Sequence, residues 1–299
     1  MMERPGRSHP AKEKIGLVGI GLVGLALAEN LIAAGFDVIG CDIDPDRRRY
    51  LDELGGKTVE HPADIADKCS RIFLALMTSE IVGNVVEGDT GLLSVSNTPR
   101  IIIDTTTGDP TATEVLATRL AEKDVGYLDA TVSGSSQQIR EKKGVIMVGG
   151  ETGVLDDCRD LLDAVADKIF HVGPPGSGAK AKLATNLVLG LNRLALAEGI
   201  VFAEGLGLDL RSYLELVRET PAYSVAADIK GQKMLDSDFT PQAKVGQHHK
   251  DLSLILEEAD KAGRYLPMTT LHRAILSDLI AGGDGDLDVC AVIKVLRMK

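Results

Sequence analysis

Three glycines, Gly19, Gly21 and Gly24, stand where an apolar strand pattern gives way to a helical one. The first glycine permits a tight turn, the second lets the backbone approach a pyrophosphate, and the third allows close packing of helix on strand. The helix that follows offers free N–H groups and a positive dipole end to phosphates. The pattern therefore predicts a dinucleotide site formed by Gly19, Ile20, Gly21, Leu22, Val23 and Gly24.

An acidic residue, Asp42, follows about 20 positions later at the end of the second strand pattern. A carboxylate there binds both ribose hydroxyls and repels a 2′-phosphate, which favours NAD over NADP. Two other interpretations stay open. Asp42 can simply cap its turn, and the basic run 47–49 can hold the phosphate of NADP. FAD and S-adenosylmethionine sites share the glycine turn.

The first half of the chain alternates short apolar runs with helical patterns. We expect six strands, at IGLVGI, FDVIGCD, RIFLAL, RIIIDT, VGYLDATV and GVIMVGG. Strands and helices in this alternation build an α/β fold, a doubly wound and largely parallel Rossmann sheet with helices on both faces. The sequence predicts this domain over residues 14–177, after a mobile leader at 1–13.

The second half is predicted to be all-helical. Residues 179–206 form a long run of strong helix formers without proline, and helical patterns continue at 211–219, 249–262 and 268–281. The Pro/Gly segment GPPGSG at 173–178 is the natural hinge. We therefore expect an all-α C-terminal domain over residues 178–299, entered through one long interdomain helix.

Composition narrows the function further. The net charge of −11 argues against nucleic acid as a partner, because phosphate backbones are bound by clustered Lys and Arg. No stretch reaches the roughly 18 uncharged apolar residues of a membrane span. The four cysteines form no paired motif, so we predict no metal site and a cytoplasmic protein. An anionic substrate would need local basic groups set against the overall charge.

Four segments in order resemble the β-hydroxyacid dehydrogenases: VGIGLVGLALAENL, YLDATVSGS, GSGAKAKLATN and HHKDLSLIL. That family includes 3-hydroxyisobutyrate dehydrogenase, tartronate semialdehyde (2-hydroxy-3-oxopropionate) reductase and L-threonate dehydrogenase. The resemblance runs from about residue 14 to the C-terminal helices. It implies hydride transfer between NAD and the hydroxyl carbon of a small 3-hydroxy acid, in a homodimer or homotetramer.

The resemblance also implies roles for individual residues. Ser133 and Gly134 would bind the substrate carboxylate, Lys182 would be the catalytic acid or base, and Asn186 would orient the hydroxyl. The i,i+4 spacing of the last two places them on one helical face. Further cofactor contacts are implied for Leu76, Met77, Thr107 and Lys250, whereas Asp251 would fix its own helix.

Departures from the family pattern bear on the substrate. Thr131, Ser135, Thr185 and Ala243 replace proline, glycine, asparagine and an aromatic residue, respectively. Smaller and more hydroxylated walls would suit a polyhydroxylated C4 acid such as threonate. The alternatives are tartronate semialdehyde reduction, 3-hydroxyisobutyrate oxidation and, from a different class, a non-catalytic dinucleotide-binding module. Retention of Lys182 counts against the last.

Overall fold

The computed structural model describes residues 13–298, and the chain divides into two compact units between Ala179 and Lys180. The predicted leader lies outside the described residues except for Glu13. The carboxylate of Glu13 accepts hydrogen bonds from Arg71 at the start of a central strand. Glu13 is therefore anchored to that central strand within the first unit.

Within residues 13–298, the first unit contains one eight-stranded sheet in the order β3-β2-β1-β4-β5-β6-β7-β8. Strands β1 to β6 are parallel, β7 is antiparallel to β6, and β8 is parallel to β7. The strands are β1 (Lys14–Val18), β2 (Asp37–Cys41), β3 (Lys57–Val59), β4 (Arg71–Leu74), β5 (Ile101–Asp104), β6 (Gly126–Ser133), β7 (Val145–Gly149) and β8 (Lys168–Gly173).

Helices alternate with these strands, as the sequence predicts. They are α1 (Leu22–Ala33), α2 (Pro45–Glu53), α3 (Pro62–Ala66), α4 (Ser79–Glu87), α5 (Pro110–Ala121), α6 (Ser136–Arg140), α7 (Thr152–Asp156) and α8 (Arg159–Val165). Local chemistry starts several of them. Asp44 and Asp109 cap α2 and α5 through side-chain hydrogen bonds, and proline occupies the first helical position of both.

The sheet is covered by apolar residues on both faces. Successive residues of a strand point to opposite faces, so Leu17 and Phe73 belong to one buried cluster while Val18 and Leu74 belong to the other. Strands buried on both sides read as continuous apolar runs, which is why RIFL and IIID were recognisable from sequence. The fold class predicted from the sequence is confirmed.

Two strands were missed, and both lie at edges of the sheet. β3 is three residues long, and most residues of β8 are exposed, Phe170 and Val172 among them. An edge strand packs little apolar surface, so its sequence carries no buried run to recognise. The antiparallel direction of β7 was also beyond the sequence pattern, because alternation alone does not fix strand direction.

The second unit is built from helices that are joined by turns and loops, and an isolated antiparallel bridge pairs Lys244 with Asp288. It contains most of α9 (Ser177–Gly205), then α10 (Leu210–Glu219), a π-helical turn (Ala227–Gly231), α11 (Gln232–Asp236), α12 (Val245–Lys261), α13 (Pro267–Ala281), a 3₁₀ turn (Val289–Ala291) and α14 (Val292–Met298).

Helix α9 is the core helix of this unit. Its length and a mean hydropathy of 1.4 in its most apolar window would be enough for a membrane span by composition alone. Its apolar residues Leu183, Ala197 and Ile200 instead belong to the buried cluster that also contains Leu252 of α12 and Leu276 of α13. These packed residues account for part of its apolar character, while Val188 and Phe202 of the same helix are exposed.

A buried ion pair holds the C-terminal part of the unit together. Lys230 Nζ lies 2.9 Å from Asp288 Oδ2, and both side chains are almost fully buried. The Asp288 carboxylate also accepts backbone N–H groups of Gln242, Ala243 and Cys290. Asp288 thereby joins the π-helical turn to the segments before α12 and α14.

We expect Lys230→Met to lower the free energy of unfolding by about 3–5 kcal/mol, because it leaves the Asp288 charge buried without its cation. Urea denaturation followed by circular dichroism measures this. Lys244→Met is the matched control, since its ion pair with Asp286 is exposed and should contribute about 1 kcal/mol or less. Equal losses in the two variants would contradict the importance of the buried pair.

Candidate functional site

The predicted glycine turn connects β1 to α1. Gly19 has φ +91°, and its N–H donates to the carbonyl of Cys41 on β2. A Cβ atom at Gly24 would lie 1.9 Å from the Gly19 carbonyl oxygen, so only glycine fits there. A Cβ at Gly21 would meet no protein atom within 4 Å. Packing within the chain therefore requires Gly24 but not Gly21, as expected if Gly21 serves a bound pyrophosphate.

Asp42 closes this turn from the end of β2. Its carboxylate accepts the Ile20 N–H at 2.6 Å and the Asp44 N–H at 2.9 Å. Ile20 is fully buried, whereas Leu22 at the start of α1 is exposed. The carboxylate is thus held beside the glycine turn, where a ribose is expected.

The basic run 47–49 divides into two kinds of contact. Arg47 and Arg49 pair with acidic residues next to or within their own helix, at 3.9 Å for Arg47 to Asp44 and 3.0 Å for Arg49 to Asp46. The Arg48 guanidinium instead donates to the Asp42 carbonyl at 2.5 Å. Arg48 is therefore the member of the run that lies against the predicted ribose-binding residue.

Further predicted contacts lie at the same carboxyl edge of the sheet. Chain order reverses between β1 and β4, which is where ligands bind in doubly wound folds. Just beyond β4, the Leu76 N–H donates to the Thr106 hydroxyl oxygen at 3.1 Å, and the Met77 side chain is exposed. Thr107 follows Thr106 after β5 and is partly buried. The first unit brings these residues to the edge that carries the glycine turn.

Ser133 ends β6, which runs parallel to β5, so it also reaches the carboxyl edge. Gly134 follows with φ +153°, a backbone conformation that L side chains rarely adopt. Ser135 then caps α6 by accepting the Gln138 N–H at 3.2 Å. A hydroxyl and a turn that only glycine adopts easily are therefore adjacent, as the carboxylate-binding prediction requires.

Asp129, also on β6, fixes the start of α9. Its carboxylate accepts the N–H groups of Gly176 and Ala179 at 3.0 and 2.8 Å. Burial raises the pKa of Asp129 to about 6, while those two N–H groups act in the opposite direction. The first residues of α9, which belong to the first unit, are thus held by β6.

In the helical unit, Lys182 and Asn186 lie on one face of α9 and are both buried. The Asn186 amide donates to Asp251 Oδ2 at 3.0 Å, and Lys250 Nζ lies 3.3 Å from Asp251 Oδ1. Burial lowers the pKa of Lys182 to about 8; nearby Asp251 opposes the change, and Arg193 and Lys250 add to it. A lysine with this pKa can gain and lose a proton near neutral pH.

Two residues next to this group, Arg193 and His272, were not identified from the sequence. His248 and His272 are buried, with ring centroids 5.2 Å apart. Arg193 lies eleven positions after Lys182, which returns it to the same helical face. That periodicity was a usable signal for Arg193; nothing in the sequence pairs His248 with His272.

The hydroxyl groups expected to line a polar pocket have backbone partners. The Thr131 hydroxyl is fully buried and donates to the Gly178 carbonyl at 2.9 Å. The Thr185 hydroxyl donates to the carbonyls of Ala181 and Lys182, and Ser135 caps α6. Much of the hydroxyl bonding capacity on which the threonate interpretation rested is used inside the protein.

Residues 13–298 contain no group of three or more potential metal ligands.

Comparison with known proteins identifies the family. Residues 14–173 match the NAD binding domain of 6-phosphogluconate dehydrogenase, and residues 176–296 match the NAD-binding domain of NADP-dependent 3-hydroxyisobutyrate dehydrogenase. The 2-(hydroxymethyl)glutarate dehydrogenase of Eubacterium barkeri is 32% identical over 283 residues, 94% of each chain. The chain belongs to the β-hydroxyacid dehydrogenase family.

Two further relatives agree. The 2-hydroxy-3-oxopropionate reductase of Escherichia coli is 30% identical, covering 95% of this chain and 97% of that protein. The solved structure of 3-hydroxyisobutyrate dehydrogenase from Mycobacterium tuberculosis with L-serine has a TM-score of 0.85 at 27% identity, covering 96% and 99%. This member of the β-hydroxyacid dehydrogenase family is accordingly an NAD(P)-dependent oxidoreductase of the 3-hydroxyacid type.

Two glycine variants separate a folding requirement from a cofactor requirement. Gly24→Ala should destabilise the protein strongly, because its methyl group would overlap the Gly19 carbonyl. Gly21→Ala should leave the melting temperature nearly unchanged and weaken NAD binding at least tenfold, because the methyl group would occupy the pyrophosphate side of the turn. Thermal unfolding and titration of NAD by fluorescence measure the two effects. Unchanged NAD affinity in Gly21→Ala would show that the dinucleotide does not approach this backbone.

Proposed function

We propose that this enzyme oxidises the hydroxyl group of a small 3-hydroxy acid with NAD, with Lys182 as the base. The observation that carries the proposal is the buried Lys182, whose pKa of about 8 lies within the working range of a general base. Its neighbour Asn186 is held by a hydrogen bond to Asp251 at 3.0 Å, which fixes the amide on the same helical face as Lys182.

The proposed roles follow the chemistry of each group. The Ser133 hydroxyl and the Gly134 N–H bind the substrate carboxylate. The Asn186 amide orients the substrate hydroxyl, and neutral Lys182 Nζ accepts its proton. NAD, when bound at the glycine turn, supplies the acceptor for the hydride that leaves the carbinol carbon. In the reverse direction, the Lys182 ammonium returns the proton to the carbonyl oxygen.

Lys250 and the residues at the carboxyl edge of the sheet would contact the cofactor. Leu76, Met77 and Thr107 would lie on the nicotinamide side, and Asp42 would bind the ribose hydroxyls of NAD. The Asp42 carboxylate beside the glycine turn supports NAD over NADP, because it would repel a 2′-phosphate. Arg48 favours NADP instead, since its guanidinium donates to the Asp42 carbonyl and would lie near a 2′-phosphate.

The substrate candidates differ beyond the reacting carbon. We retain 2-(hydroxymethyl)glutarate and 3-hydroxyisobutyrate for oxidation, 2-hydroxy-3-oxopropionate for reduction, and threonate as the polyhydroxylated alternative. The backbone bonds of Thr131, Thr185 and Ser135 weaken the case for threonate. A non-catalytic dinucleotide-binding protein has no use for a buried lysine of lowered pKa, so catalysis is the favoured function.

The setting of the enzyme is part of the same proposal. We propose a cytoplasmic homodimer or homotetramer that acts on a small anion and on neither nucleic acid nor membrane. The net charge of −11 supports the exclusion of nucleic acid. The four buried, unpaired cysteines of the described chain suit a reducing compartment.

Replacement of Lys182 tests the mechanism. Lys182→Met should reduce turnover by roughly 10²–10⁴, the usual contribution of a positioned acid or base, with NAD affinity within a few-fold of wild type. In the wild type, kcat/KM for oxidation should rise with pH through about 8, because only neutral Lys182 accepts the proton. Reduction should show the opposite trend. Absorbance of the reduced cofactor follows both.

Lys180→Met is the internal control, because Lys180 is exposed and lies about 200° around the helix from Lys182. Its turnover and pH profile should match those of the wild type. If Lys182→Met also kept wild-type turnover, the assigned base would be wrong even though the family assignment stands.

Cofactor choice is tested by the charge on Asp42. The wild type should prefer NAD over NADP by at least about tenfold in kcat/KM, or about 1.4 kcal/mol. Asp42→Asn keeps an acceptor for the Ile20 N–H but removes the charge, and should shrink this preference. Asp46→Asn, which alters an exposed carboxylate of α2, should leave the ratio unchanged. Equal use of both cofactors by the wild type would contradict the assignment of Asp42.

A further inference from the structure

Arg193 is a cation without a bonded partner in the helical unit. It is partly buried on the face of α9 that carries Lys182 and Asn186, and it makes no hydrogen bond or ion pair with residues 13–298. Burial lowers its pKa to about 10; Asp288 and Asp251 oppose this from a distance. The buried cations Lys230 and Arg71, in contrast, are paired directly with carboxylates.

The carboxylates near Arg193 are already engaged. Asp288 is bonded to Lys230 and to backbone N–H groups. Asp251 is bonded to Asn186 and paired with Lys250. Lys182 and Arg193 are close enough to affect one another, since Arg193 contributes to the lowered pKa of Lys182. Around Arg193, basic side chains therefore outnumber acidic ones, although the protein as a whole is acidic.

Two imidazoles lie beside this cation with ring nitrogens unpartnered. His248 Nε2 and His272 Nδ1 are buried and make no hydrogen bond with the described residues. Gly190 gives both rings room against α9: a Cβ there would lie 2.5 Å from His248 Nε2 and 3.0 Å from His272 Cε1. Burial and the charge of Arg193 keep the pKa of both histidines below the usual value. Neutral imidazoles add no positive charge beside Arg193.

We propose that Arg193, flanked by His248 and His272, binds a second carboxylate of the substrate, so that the preferred substrate is a dicarboxylic 3-hydroxy acid. This inference rests on the proposed function, because Lys182 and Asn186 on the same helical face define the reacting end. A guanidinium matches a carboxylate in shape and charge, so a substrate carboxylate would supply the partner that Arg193 lacks among residues 13–298.

Two substrates that share their reacting end test the proposal. Both 2-(hydroxymethyl)glutarate and 3-hydroxyisobutyrate carry CH₂OH next to a carbon with a carboxylate; the first has CH₂CH₂COO⁻ where the second has a methyl group. The wild type should favour the diacid at least tenfold in kcat/KM. Arg193→Met should lose about 10- to 100-fold with the diacid, mainly in KM, and change less than threefold with the monoacid.

Further variants and a binding measurement exclude a structural role. Arg193→Lys should recover part of the diacid preference, and Arg193→Gln serves if the Met variant does not fold. Arg211→Met, at an exposed arginine of α10, should match the wild type. Calorimetric titration of the full chain with glutarate, in the presence of NAD, reports the carboxylate site without turnover. Arg193→Gln should weaken glutarate binding at least tenfold.

The outcomes separate this inference from the function on which it rests. Equal wild-type use of both acids, or equal losses with both in the Arg193 variants, overturns the second carboxylate site while the dehydrogenase function stands. If neither acid nor any other hydroxy acid is oxidised, the proposed function fails. In that case glutarate binding, and its dependence on Arg193, decides the carboxylate site alone.

Discussion

The burial of the Lys182 side chain is the feature on which the proposed chemistry of the helical unit depends. Removing an ammonium from water disfavours its charged form and brings its pKa close to neutral pH. The polar side chains next to Lys182 are held by contacts within the protein. Asp251 holds Asn186 through a hydrogen bond and lies beside Lys250, so helix α12 carries the groups that organise the face of α9.

Charge around this face is arranged differently from charge elsewhere in the helical unit. Lys230 and Asp288 neutralise one another in the interior and join distant segments. Arg193 has no such partner within residues 13–298, although a cation withdrawn from water is costly to leave unpaired. Burial, and after it the charge of Arg193, lowers the pKa of His248 and His272, so both imidazoles remain neutral. The imbalance is what an anionic ligand would correct.

In the first unit, the geometry of the glycine turn depends on close approach of backbone atoms rather than on paired charges. The glycine turn sits where chain order reverses, and Gly24 packs directly against the Gly19 carbonyl. This unit was the most predictable part of the protein, because its inner strands are continuous apolar runs bounded by turns. The edge strands β3 and β8 escaped prediction because they bury little apolar surface, and burial is what marks a strand in the sequence.

By itself the sequence determined the fold class and the glycine turn followed by Asp42, because these follow from periodicity and from residues close together in the chain. Lys182 and Asn186 were singled out by the family resemblance, and their spacing placed them on one helical face. Only tertiary structure paired Asn186 with Asp251 and His248 with His272, and used the Thr131 hydroxyl on a backbone carbonyl. These contacts join segments far apart in sequence, where no local pattern specifies a partner. The lowered pKa of Lys182 was likewise decided by packing, since burial is a property of the folded chain.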